Sequence, residues 1–313
     1  MSLFPSSTLM IRSIVKFIMG LTTRKMKKND DETAKKVKPV TGVCVTDYPY
    51  IADNNSNHHF NYVRQSGKEK LPLIIDIHGG AWIYGDKDLN LNYAKWNAQF
   101  GYAVALPTYT LAFKATLRDM IQELFAFISY LLENSQSLNF DTDRIYLTGD
   151  SAGGHLCTLI LACNQSEEMQ RIYGVSHLDF DIKACYLCHP VCNLKTMPVV
   201  PGNDFVDAHG RDTLLSMLCG KDYKKDGNKL IDYCDINDYI KFLKSMPKTI
   251  ISSSKGDGFN FSTEITYNLL KKHGVNVTYL YLSDSSFPHV HNVTVPDDKE
   301  SEFINKNVLN FFK

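Results

Sequence analysis

Four short runs are apolar at almost every position: "LPLIIDI" (71–77), "YAVALP" (102–107), "RIYLTG" (144–149) and "IKACYLCHP" (182–190). A strand with one wet face alternates apolar and polar side chains, whereas a strand apolar at both parities needs cover on both faces. Segments of helical period separate these runs, the longest being "TLRDMIQELFAFISYLLEN" (116–134). "VCVTDYPYI" (43–51) and "HFNYVRQ" (59–65) precede them, joined by the polar turn "ADNNSNH", and read as an antiparallel pair. "KTIISSS" (248–254) and "NVTYLYL" (276–282) follow, and a helix "SEFINKNVLNFF" closes the chain. Strands alternating with helices predict an α/β fold built on a mostly parallel eight-stranded sheet with helices on both faces. Such sheets hold their ligands at the carboxyl ends of the strands.

About 50 residues after "HPVCNL" break this rhythm and lie where they can cover that edge. The expected organisation is one domain over 1–313, with a small helical cap formed by about 1–40 and 193–241. In "TLMIRSIVKFIMGL" (8–21), Met10, Ile14, Phe17, Ile18 and Leu21 recur at helical spacing, opposite Arg12, Ser13 and Lys16. The run is shorter than the roughly 20 apolar residues that cross a bilayer, and no cleavage site follows it. It is read as an amphipathic lid helix packed on the protein itself. A membrane-surface anchor, helped by the basic stretch that follows, is the second reading. With no targeting signal, the expected location is the cytoplasm. Eight cysteines in 313 residues, most in apolar runs, suit buried reduced thiols better than a disulfide framework. Lys plus Arg and Asp plus Glu each number 34, so no global field favours nucleic acid.

Function rests on a constellation. In "RIYLTGDSAGGHL", Ser151 sits between a strand and a helix, flanked by Gly149, Gly153 and Gly154. A strand–sharp turn–helix with small neighbours is what an exposed nucleophilic serine requires. "DIHGGAW" (76–82) follows a buried strand, and the N–H groups of Gly79 and Gly80, with that of Ala152, are the expected oxyanion donors. His78 is read as an organiser of that loop. Asp257 in "SSSKGDGFNF" follows one strand, and His289 and His291 in "SSFPHVHNV" follow the next. His289 is preferred as the base, because it comes first after the strand and a Pro-His turn can present it. Ser151, Asp257 and His289 then run in chain order as nucleophile, orienting acid and general base.

These residues resemble the α/β-hydrolase superfamily, and within it the hormone-sensitive-lipase-like esterases, bacterial family IV. "HGGAWIYGDKD", "GDSAGGHL" and the Asp–His tail carry the resemblance. "YTLAFKATLRDM", ending in Asp119, and "DTDRI" are similar to further family segments. The chain departs from the family in reading His-Gly-Gly-Ala for His-Gly-Gly-Gly, "TYT" (108–110) for "DYR", and "GDG" for the longer acid motif. The resemblance implies hydrolysis of a small carboxylic ester with no cofactor and no metal. Cleavage of an amide or formamide, as in arylformamidases with a similar His-Gly-Gly-x-Trp, is the alternative; a non-catalytic binding protein of the same fold is another. "CYLCHPVC" contains Cys-x-x-Cys-His, a haem-attachment pattern, but a buried strand would scatter its side chains over two faces.

Overall fold

The computed structural model describes residues 7–67, 69–112, 114–197, 208–225 and 227–313, omitting the side chains of 7–19 and 208–209. The eight strands are β1 (Val43–Pro49), β2 (His59–Gln65), β3 (Leu71–Ile77), β4 (Ala103–Pro107), β5 (Phe140–Asp150), β6 (Ile182–Cys188), β7 (Lys248–Ser254) and β8 (Val277–Leu282). They form one sheet in the order β1-β2-β4-β3-β5-β6-β7-β8. Only β2 runs opposite to the rest, antiparallel to β1 and β4; β3 through β8 are parallel. The expected α/β fold class and strand count are those observed. β5 starts at Phe140 rather than Arg144, because Phe140 and Asp141 pair with Leu71 and Pro72 before a register shift.

Helices α1 (Ser7–Ala34), α2 (Leu91–Gln99), α3 (Leu117–Glu133), α4 (Ser135–Leu138), α5 (Ala152–Gln165), α6 (Glu167–Tyr173), α7 (Ala208–Leu218), α8 (Ile236–Tyr239), α9 (Asn260–Lys272), α10 (His291–Thr294) and α11 (Lys299–Phe312) surround it. The double apolar parity of the strands has a direct cause. Leu73, Ile75, Ile77, Leu147, Cys185 and Leu187 pack on α3, α5 and α6. Ile74, Val104, Tyr146, Ala184 and Ile250 point the other way, onto α2 and α11. Cys185 and Cys188 fall on opposite faces, in different cores. Thr116 and Asp119 form a reciprocal cap that starts α3.

Two expectations about the cap need adjustment. α1 continues to Ala34, well beyond the apolar run, and its apolar positions Met10, Ile14, Phe17 and Ile18 lie outside the described side chains. Leu21 is exposed. The later part of the 193–241 segment is core rather than cover: Cys234, Ile236 and Tyr239 are fully buried. Tyr239 Oη bonds Thr158 Oγ1 of α5 at 2.8 Å, and His155 Nε2 donates to Cys234 O at 2.9 Å. Among the described residues no helix is long and apolar enough to cross a membrane.

Candidate active site

Ser151 lies at the central β5–α5 junction with φ 51° and ψ −115°. Such a conformation costs a non-glycine residue on the order of 1–3 kcal/mol, so its surroundings must impose it. They do so through the backbone. Ser151 N–H donates to Cys188 O at 2.8 Å, and Ser151 O accepts Val191 N–H at 3.1 Å. α5 can start this close to β3 only because Gly153 has no side chain; a Cβ there would run into the carbonyl oxygen of Ile77.

The turns after β7 and β8 bring the other two residues to the serine. His289 Nε2 lies 2.8 Å from Ser151 Oγ, and His289 Nδ1 lies 2.8 Å from Asp257 Oδ1. The main-chain N–H of Phe259 also donates to Oδ1, at 2.7 Å. Asp257 Oδ2 accepts from His189 Nδ1 at 2.8 Å and from Ser253 Oγ at 3.2 Å. Burial opposes ionisation of this carboxyl, but the hydrogen bonds from His189 and His289, with the electrostatic attraction of His289, outweigh it and hold the pKa well below the usual carboxylate range. His289 is partly open to solvent, whereas Asp257 and His189 are buried. His291 turns elsewhere, pairing Nε2 with Asp298 Oδ2 at 2.5 Å.

The loop after β3 differs in detail from expectation. Gly79 N–H donates to Asp150 Oδ1 at 3.0 Å, so it is committed to a carboxyl instead of a pocket. Among the described residues, the N–H groups of Gly80, Ala81 and Ala152 have no hydrogen-bond partner. Gly80 sits at φ 93°, where a Cβ would meet Tyr84 O; Ala81 and Trp82 follow at φ 53° and 61°. His78 stacks on Tyr109 at 4.4 Å between ring centres and gives its Nδ1–H to Gly79 O at 2.9 Å. Burial lowers its pKa to about 4, which leaves it a neutral brace for its own loop. Beneath the loop, Asn90 Nδ2 bridges two buried acids, 2.8 Å from Asp150 Oδ1 and 3.1 Å from Asp76 Oδ2. Thr148 Oγ1 donates to Asp76 Oδ1 at 2.6 Å. Burial, helped by the charge of Asp150, raises the Asp76 pKa to about 7; burial raises Asp150 as well.

The BD-FAE family model matches residues 61–260, which is most of the sheet and both the His-Gly-Gly and Gly-Asp-Ser-Ala-Gly segments. The chain belongs to the BD-FAE family. Its structure is similar to esterase B from Lactobacillus rhamnosis (HN001), with a TM-score of 0.89, 27% identity, and coverage of 96% of this chain and 95% of that one. It is also similar to that esterase inhibited by a C4-C4 SN3 tributyrin phosphonate (TM-score 0.87, 26% identity, covering 96% and 94%). Among curated proteins, a probable isoprenylcysteine alpha-carbonyl methylesterase of Oryza sativa subsp. japonica is 35% identical over 91 residues, 28% of this chain and 21% of that protein. The chain thus matches about a fifth of that relative's length, and 29% and 34% of the next two. These likenesses give the chain the α/β-hydrolase fold that its motifs led us to expect.

In this BD-FAE member, sequence reasoning placed Ser151, Asp257 and His289 where they meet, but it missed His189, Asn90, Asp76 and Asp150. His189 lies inside the Cys-x-x-Cys-His run, whose visible signal pointed to haem attachment. Among the described residues, His189, Asp257 and His289 are the one group spaced to hold a metal, with ligand atoms within 4.8 Å of one another. Both oxygens of that carboxylate are already met by imidazole nitrogens, so the geometry is that of a hydrogen-bonded chain. A surface cavity of about 1110 Å³ lies away from the serine, lined by Arg118, Glu168, Arg171, Asp222 and Tyr233 among others. Its walls carry charges of both signs, and the hydroxyls of Thr116 and Tyr233 are tied to the carboxylates of Asp119 and Glu168.

Proposed function

We propose that this protein is a serine hydrolase that cleaves short- to medium-chain carboxylic esters through an acyl-enzyme. The observation carrying this reading is the unbroken chain Ser151 Oγ–His289 Nε2 and His289 Nδ1–Asp257 Oδ1, at 2.8 Å for each link. In this role His289 takes the Ser151 proton as Oγ attacks the ester carbonyl, then returns it to the departing alcohol. A water activated by the same imidazole cleaves the acyl-enzyme. Asp257, held ionised, fixes the tautomer with the proton on Nδ1 and stabilises the imidazolium. The oxyanion donors in this scheme are the free N–H groups of Gly80, Ala81 and Ala152, since that of Gly79 is spent on Asp150. Each such donor is worth about 10²–10³ in rate. The likeness to esterase B, a protein described with a C4-C4 phosphonate, supports a small acyl group, and α1 with α7, which it touches, would form the cover of the acyl pocket.

Hydrolysis of p-nitrophenyl acetate, butyrate, octanoate and laurate, with N-formylkynurenine in parallel, tests the reading. Turnover should favour the short and medium esters, and Ser151→Ala should lower kcat by about 10⁴-fold or more without lowering Tm. Near-normal turnover by pure Ser151→Ala would refute the assignment. A strong preference for the formamide would replace ester by formamide cleavage.

A further inference from the structure

One short segment touches both ends of the hydrogen-bonded chain. Where β6 ends, Cys188 O accepts the main-chain N–H of Ser151 at 2.8 Å. The next residue, His189, gives its own main-chain N–H to Ser252 O of β7 at 2.9 Å and its side chain to Asp257 Oδ2 at 2.8 Å. Two residues further on, Val191 N–H returns to Ser151 O. His189 is 2% exposed, stands at φ 48°, and sets its ring edge-on to that of His289 with 5.5 Å between centres. Histidine is among the few residue types that tolerate this left-handed region.

We infer that His189 is a positioning residue for the acid: by holding Asp257 Oδ2 it turns Oδ1 toward His289 and ties that orientation to the backbone of the nucleophile. This inference rests on the serine-hydrolase reading above. A carboxylate turns easily about its terminal bond; Oδ1 holds His289 and the Phe259 N–H, but without His189 the other oxygen would be left with one partner. The other bond to Oδ2, from Ser253, is longer at 3.2 Å. His189 also suits the task by staying neutral. Burial lowers its pKa, so its Nδ1–H meets the anion as a dipole. A second imidazolium there would compete with His289 for the charge of Asp257.

The test compares His189→Gly, which relieves the left-handed backbone and removes the donor, with His189→Asn. Asparagine also tolerates left-handed φ and places Nδ2 close to where the histidine carries Nδ1. On p-nitrophenyl butyrate, His189→Gly should lower kcat about 10- to 100-fold with little change in KM, the cost of a loosened catalytic geometry. The midpoint of the acid limb of kcat/KM should rise, because an under-bonded Asp257 favours the His289 imidazolium. His189→Asn should recover kcat to within about threefold and restore the limb, if the donor is what matters. The other titratable groups around the pair, Asp150, Cys188, Tyr279 and His291, are common to all variants. Wild-type kcat and limb in His189→Gly would overturn the inference, as would a loss that His189→Asn does not recover. If His189→Gly does not fold, His189→Asn decides alone: a tenfold loss or a displaced limb in it counts against the role. Fluorophosphonate labelling separates the two levels. An unlabelled wild type refutes the serine-hydrolase reading, whereas a labelled wild type with unchanged His189→Gly turnover refutes only the part given to His189.

Discussion

On the nucleophile side, between β3 and β5, Asp76 and Asp150 lie under the oxyanion loop with one amide, Asn90, bridging them. On the acid side, beyond β7, Asp257 is buried to a similar degree but takes two imidazole nitrogens, a main-chain N–H and a hydroxyl. Burial pushes all three carboxyl pKa values upward, yet only that of Asp257 ends below its ordinary value. The difference lies in the donors and the neighbouring charge. Asp76 has two neutral donors and a like-charged neighbour, while Asp257 has four donors, two of them on histidines. A carboxyl that must stay ionised during turnover needs that many partners; one that only braces a loop can remain protonated. The two sides also differ in what fixes them. Backbone contacts too close for a Cβ hold the serine, and side-chain hydrogen bonds hold the acid.

Removing the charge on the acid side should have the largest effect. Asp257→Asn keeps the shape but no longer fixes the His289 tautomer, so kcat should fall about 10⁴-fold while the chain still folds. Steady-state kinetics and a thermal melt of the same preparation check this. A loss below about tenfold would mean that another group orients His289. On the nucleophile side the comparison predicts a stability defect. In Gly153→Ala the new Cβ meets Ile77 O, with backbone on both sides. The cost should exceed about 3 kcal/mol, lowering Tm by on the order of 10 °C. A Tm within a few degrees of wild type would show that α5 can slide, and that the elbow is less rigid than its contacts imply.

What was legible in the sequence follows the same division. The sheet could be read because each strand's cover is written in its own parity, as at Ile74 against Leu73 and Ile75. The elbow could be read because strand, serine and glycines are contiguous. His189 could not, since its part depends on a left-handed turn meeting an acid far away in the chain. Asn90 sits in the polar turn "DKDLN" with no local pattern, and the direction of the Gly79 N–H depends on Asp150. The end of α1 was missed for another reason. Beyond Leu21 the helix is sustained by solvated pairs such as Lys27–Asp31 at 3.5 Å and Lys28–Glu32 at 3.9 Å, which leave no apolar period to follow.

The smallest predicted effect, one of pH, sharpens the carboxyl contrast. Asp257, with its folded pKa lowered, adds stability that is present above the unfolded value of about 3.9 and is lost only as pH falls through the folded one. Asp76 works in reverse. Its folded pKa is raised to about 7, so its contribution is fully present below about 3.9 and drains away as pH climbs to about 7, staying flat above. Between those limits the unfolded chain has released the proton that the folded chain still holds. Asp76→Asn removes that titration, leaves Thr148 and Asn90 a polar partner, and shares every other titrating group with the wild type. Thermal melts from about pH 4.5 to 8.5 should therefore show wild-type stability declining relative to Asp76→Asn up to about pH 7, by on the order of 1–3 kcal/mol, and running parallel beyond it. Curves that stay parallel throughout would mean that Asp76 is ionised in the folded protein, and that Asn90 and Thr148 suffice to hold two charges side by side.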